Sequence, residues 1–118
     1  MIEVWLDWPD PRLMPNRARG LHWRTKGRVA RVARRSAWVL ALQAGCHVFS
    51  THSGELSVLV EFSAPDKRRR DKDNLIAAFK PQQDGIADAC GVDDSRFDVH
   101  HVLAEPGRGD VRVRIEAK

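Results

Sequence analysis

The chain has 118 residues and is 42% hydrophobic, which suits one domain, residues 1–118, burying about two thirds of its unfolded surface. Its formal net charge is +4, from 20 Lys and Arg against 16 Asp and Glu. Pro11 to Gly54 contains no Asp or Glu but carries Arg12, Arg17, Arg19, Arg24, Lys26, Arg28, Arg31, Arg34 and Arg35, and this points to a polyanionic partner such as nucleic acid. Cys46 and Cys90 lack metal-ligand spacing and read as reduced thiols, with the cytoplasm as the expected compartment. The longest apolar run, Ala37 to Ala44, is too short to span a bilayer, and the acidic start MIEVWLDW lacks a signal peptide's cationic region, so no membrane association is expected.

In chain order, Ile2 to Leu6 reads as a strand with Ile2, Val4 and Leu6 on one face. Pro9, Pro11 and Pro15 then predict an irregular loop to about Leu21. From Arg24 to Ala44, Val29, Val32 or Ala33, Ala37, Leu40 and Ala44 recur at helical spacing, while Arg24, Arg28, Arg31 and Arg35 form a second stripe. Gly45 is the expected C-terminal stop. Glu55 to Phe62 alternates as a strand. A helix is expected from Asn74 to Ala89, kinked at Pro81 and weakened at Gly85. Phe97 to Leu103 and Asp110 to Ile115 read as two further strands. The order βαβαββ predicts an α+β (mixed α/β) domain, a mixed sheet flanked by two helices. Trp5 and Trp38 are assigned to the core; Trp8 and Trp23 flank the basic loop, and loop anchoring competes there with stacking on unpaired bases.

The most informative segment is Pro65 to Asn74, PDKRRRDKDN, where the cations Lys67, Arg68, Arg69 and Arg70 run directly into Asp71, Lys72 and Asp73. Carboxylates are the hard oxygen ligands that Mg²⁺ takes, and guanidinium groups match phosphate. If Asp71 precedes the helix, Asp71 and Asp73 project to one side, and Asp93 or Asp94 in the GVDDSR turn can supply a third carboxylate. The competing reading is capping, since Asp is favoured at helix starts and in turns. The five histidines show no zinc spacing; they read as structural or surface residues, with His22 a candidate DNA contact. There is no Gly-rich phosphate loop and no GxSxG elbow.

PDKRRRDKDNL, followed by AAF and then GVDDSRF, resembles the RusA family of Holliday junction resolvases of bacteria and their prophages. The likeness extends over most of the chain, through Trp8-Pro9, Pro15-Asn16-Arg17, the basic helix and the strand order. It implies a homodimeric crossover-junction endodeoxyribonuclease of DNA recombination and repair. Such an enzyme uses Mg²⁺, with Mn²⁺ able to substitute, to place paired symmetric nicks in four-way junctions. It further implies Asp71, Asp73 and Asp94 as metal ligands, with Asp93 as a neighbouring acid. Relatives carry a functional lysine where this chain has Ala77; Lys80, three residues on, or Lys72 is the expected substitute. Lys67, Arg68, Arg69, Arg70, Lys72, Asn16, Arg17, Arg24, Arg28, Arg31 and Arg35 are the expected DNA contacts. Two rivals stand beside this reading: a junction-binding protein with lost or weak cleavage, and a metal nuclease for other branched nucleic acids.

Overall fold

The computed structural model describes residues 1–18 and 20–118; Arg19, counted in the basic block, lies outside them. Strand β1 (Ile2–Asp7) turns Val4 and Leu6 inward and Glu3, Trp5 and Asp7 outward. The proline-rich loop is not irregular as expected. Pro11 begins a 3-10 turn (Pro11–Leu13) and Pro15 begins a four-residue helix, α1 (Pro15–Ala18). Proline's fixed φ suits the first helical position, where its missing N–H would have no partner anyway.

Helix α2 (Trp23–Gln43) is capped by His22, whose Nδ1 accepts from the Arg24 N–H at 3.1 Å, a structural role for the candidate DNA contact. It leaves through Ala44 into Gly45, where φ is 95°, the left-handed stop expected of a glycine. A 3-10 turn (Cys46–Thr51) leads to β2 (Leu56–Ser63), which alternates as expected, with Leu56, Val58, Val60 and Phe62 buried. Helix α3 (Lys72–Cys90) continues through Pro81 as a single element. The carbonyl of Ala77, one turn earlier, lacks the helical N–H that another residue would donate. After a 3-10 turn (Asp94–Arg96) come β3 (Phe97–Leu103) and β4 (Asp110–Ala117).

The strands form one mixed sheet in the order β1-β4-β2-β3. β4 pairs antiparallel with both β1 and β2, aligning Val4 with Val113 and Val113 with Val60. β2 and β3 are parallel, aligning Val58 with Val99, and α3 supplies the crossover that parallel pairing needs. The α+β architecture therefore agrees with the expectation. Inward residues of all four strands join Ala37 and Ala41 of α2 and Leu75, Phe79 and Ile86 of α3 in the main core, so both helices cover one sheet face. Burying each larger aliphatic or aromatic side chain contributes about 1.5–3 kcal/mol. Cys46 and Cys90 are free and wholly buried here; the hydrogen bond with Cys46 and burial push the Cys90 thiol up.

The opposite sheet face is solvated. It exposes Trp5 at 45%, against the core role assigned to it, and Trp38 on α2 is likewise 38% exposed. Trp5 alternates with Val4 and Leu6, so burying those two sends it outward; there Arg108 and Arg112 stack on its ring at 5.2 and 5.4 Å. On α2, Val32 is also exposed, and the buried stripe is Val29, Ala37 and Ala41.

Gly85 is the point where the helices touch. A Cβ there would lie 2.2 Å from the Arg34 carbonyl and 3.0 Å from both the Ala37 Cβ and the Trp38 nitrogen. The residue expected to weaken α3 is thus the one that admits α2. Gly85→Ala should lower stability by about 1–3 kcal/mol in thermal or urea unfolding, because the backbone clash outweighs the helix-propensity gain of about 1 kcal/mol. An unchanged or raised Tm would contradict this packing.

Candidate nucleic-acid interface

Asp71 is the N-cap of α3: its backbone is extended, and its Oδ1 accepts the Asp73 N–H at 2.9 Å. Asp73 sits in the first turn, where negative charge suits the exposed N–H groups and the helix dipole. Both side chains are exposed and neither is ion-paired among the described residues. Asp93 likewise caps the 3-10 turn after α3, accepting the Ser95 N–H at 2.9 Å. That bond holds its carboxyl below the usual range.

Asp94 does not join Asp71 and Asp73. It is ion-paired to Lys80, which also reaches Asp84 Oδ1 at 2.7 Å. Asp73 and Lys80 are seven residues apart on α3, roughly 10 Å of helix rise, so the Lys80 pair lies two turns beyond the capping end. Among the described residues, no group of three or more His, Cys, Asp or Glu is placed to hold a metal ion. The expected three-aspartate convergence is therefore replaced by two separate arrangements, an acid pair at the helix start and a Lys80-centred ion cluster. Mg²⁺ commonly takes only one or two protein carboxylates and keeps its waters, so the donor chemistry of the exposed Asp71 and Asp73 suits that ion.

Lys80 is held by the charges around it. Its hydrogen bonds, first to Asp84 and then to Asp94, raise its pKa, so the ammonium form is maintained. Asp73, Ala77, Lys80 and Asp84 follow helical spacing and share one face of α3. Ala77 and Lys80 open onto a groove of about 640 Å³ between the helices, whose α2 side carries Lys26, Arg31 and Arg34.

Four of the basic residues read from the sequence meet at the start of α3. Arg17, Arg68, Arg69 and Arg70, with Asn16, Asp71 and Asn74, line an open groove of about 760 Å³. The sequence reading missed Asp66, which shapes this loop: it accepts the Arg68 N–H at 2.9 Å and the Arg70 Nη1 at 2.9 Å. These two contacts hold its carboxyl below the usual range, that of Arg70 most strongly. Its place two residues before Arg68 is the sequence signal of a side-chain turn. Arg70 is thereby partly self-paired and lies 5.6 Å over the Trp8 ring. Along α2, Arg28 lines a further cavity and Arg31 the inter-helix groove, while Arg24 and Arg35 are exposed. Arg17, Arg24, Arg28, Arg31, Arg35, Lys67, Arg69 and Lys72 make no ion pair among the described residues.

No family model matches the chain. It is 42% identical over 106 residues, covering 89% of this chain and 67% of the relative, to an uncharacterized protein of Xylella fastidiosa. The chain belongs to that protein's family. Among the described residues no helix is long and apolar enough to cross a membrane.

His101, one of the histidines expected to be structural or surface residues, lies on β3. Its ring stacks on Phe62 at 6.1 Å, and its buried Nε2 has no hydrogen-bond partner among the described residues. Burial foremost, then the charges of Lys72 and His100, lower its pKa. Folding therefore favours the neutral ring, and the unfolded chain binds more protons below its own pKa of about 6.5. Stability should fall as pH drops through that value, and His101→Leu should flatten this acid limb in unfolding measured from pH 8 to pH 5. An identical acid limb in the variant would assign it to other groups.

Proposed function

We propose that this protein is a Mg²⁺-dependent, structure-specific endodeoxyribonuclease that resolves four-way DNA junctions in recombination and repair. The observation that carries the proposal is the groove at the start of α3, where Arg17, Arg68, Arg69 and Arg70 line one cleft with the capping Asp71, and the exposed Asp73 follows two residues on. Guanidinium groups suit phosphate and carboxylates suit a divalent cation, so a groove that joins four arginines to Asp71, with Asp73 in the adjoining first turn, suits phosphodiester chemistry. The resemblance of PDKRRRDKDNL and GVDDSRF to the RusA family supplies the four-way junction and the homodimer. A C2 dimer matches the junction's two-fold symmetry and sets one acid pair against each of two strands.

In this reading Asn16, Arg17, Arg69 and Lys67 bind the phosphodiester backbone, while Asp66 holds Arg68 and Arg70 in the loop. Asp71 and Asp73 would hold Mg²⁺, or Mn²⁺ in its place, and the bound ion would polarise the scissile phosphate and lower the pKa of a coordinated water. Asp94 acts as the anchor that fixes Lys80, and the Lys80 ammonium offsets phosphate charge farther along α3. Arg24, Arg28, Arg31 and Arg35 extend the basic surface along α2.

The separation of Asp94 from Asp71 favours one rival, a protein that binds junctions without cutting them. The variants Asp71→Asn and Asp73→Asn separate the two. At position 71 asparagine caps a helix as well as aspartate, and at the exposed position 73 it keeps the side chain's size, so the fold is kept while the carboxylate charge is lost. Nicking of a labelled synthetic four-way junction in Mg²⁺ should fall at least 100-fold in either variant and vanish with EDTA, while junction binding persists or tightens. Binding without nicks by the wild-type protein, in Mg²⁺ and in Mn²⁺, would establish the rival. Nicking linear duplex or flap DNA as fast as junctions would remove the junction assignment.

Phosphate contacts also carry a salt signature. Arg69→Ala should weaken binding to all junction sequences alike and reduce the slope of log K against log[salt] by about 0.9. An unchanged slope would place Arg69 off the backbone.

A further inference from the structure

A cavity of about 460 Å³ between the N-terminal loop and α2 shares Trp8 and Pro11 with the arginine groove, so the two adjoin. Its volume falls in the range of about 300–1,000 Å³ typical of small-ligand sites. Leu6, Val29, Ala37 and Leu40 form an apolar wall beside the polar Asp7, Asp10, Arg12 and Arg28, and the Trp8 ring is set edge-on against Phe62 at 6.2 Å. Gln82 of α3, only 6% exposed, also lines it. Its Nε2 donates to the Asp7 carbonyl at 2.9 Å, but its Oε1 has no partner among the described residues. A buried acceptor left without a donor is unfavourable, and a terminal amide torsion is broad enough to turn toward one.

We infer that this cavity receives an unpaired nucleobase from the strand whose phosphates lie in the arginine groove, an inference that rests on the junction reading above. A base has apolar faces to set against Trp8 and the aliphatic lining, and every base carries an N–H donor for Gln82. Stacking beside a cationic backbone track is how proteins hold single-stranded segments. A base inside a continuous duplex cannot reach the cavity without being unstacked and unpaired, whereas the crossover of a junction offers the least costly base to extrude. Trp8, shared by both compartments, links phosphate binding to base capture, so the cavity selects branched over linear DNA.

The test compares equilibrium binding, without divalent metal, of a synthetic four-way junction carrying either normal bases or an abasic analogue at each central position. For the wild-type protein the abasic change at one central position should weaken binding about tenfold. Ser36→Phe introduces a ring from an exposed position of α2 that lines the cavity. This variant should bind both junctions alike, about tenfold more weakly than wild type binds the normal one, with its salt slope unchanged. Gln82→Met should narrow the gap between the two junctions while leaving phosphate binding intact. A wild-type preference for junctions over duplex with no abasic effect at any central position would overturn the base pocket alone, as would a full gap retained in Ser36→Phe. Equal wild-type affinity for junction and linear duplex would overturn both the pocket and the junction reading.

Discussion

The contact between α2 and α3 at Gly85 sets the geometry on which the rest of the helical face depends. Without a Cβ at position 85, the α3 backbone comes up against the Arg34 carbonyl. The same arginine then grips Asp88 with a two-pronged pair, Nε to Oδ2 at 2.7 Å and Nη2 to Oδ1 at 2.9 Å. Such forks fix orientation as well as distance, so one residue of α2 meets α3 through both its backbone and its side chain. The close approach lets both helices lie on one face of a four-stranded sheet. It also brings the α3 residues Ala77, Lys80 and Asp84 into one groove with Lys26 and Arg31 of α2.

The open sheet face pairs its central cations, whereas α2 leaves a stripe of its arginines without ion pairs among the described residues. On the open sheet face, Arg112 meets Glu61 at 2.7 Å, and Arg114 meets Glu3 and Glu61 at 3.4 Å each, so the cations are neutralised within the sheet. β-pairing enforces this, since Arg112 is registered opposite Glu61 and Arg114 opposite Glu3. On the helical side, Arg24, Arg28, Arg31 and Arg35 have no such partners among the described residues. A field left uncompensated on one side attracts a polyanion to that side, which is the electrostatic basis of the proposed DNA reading.

In the proposed mechanism a single aspartate serves local structure and chemistry together. Asp71 spends one carboxylate oxygen on the cap and leaves the other open, so its structural role does not exhaust it. Asp94 differs because Lys80 reaches it across the end of α3, and an ammonium already bound to a carboxylate competes with any metal for that oxygen. In the proposed mechanism the charge cluster around Lys80 and the acid pair at the helix start therefore have separate tasks.

The sequence by itself determined the elements, because strand alternation and helix periodicity are local consequences of which side chains must leave water. Val4 and Leu6, the stripe through Val29 and Ala37, and Val111 with Val113 all lie where their periods place them. The same alternation sends Trp5 outward, so its exposure was legible although a large aromatic invites a core assignment. The acid pair and the basic run were legible too, being contiguous in the chain. What only the tertiary structure decided involves residues far apart in sequence: Gly85 against Arg34, Lys80 reaching Asp94, Gln82 bonded to Asp7, and Trp8 shared by a groove and a cavity. Periodicity gives the face of an element but not what that face meets. The meeting is fixed by packing, where a single missing Cβ sets the distance between two helices and, with it, which charges come into reach.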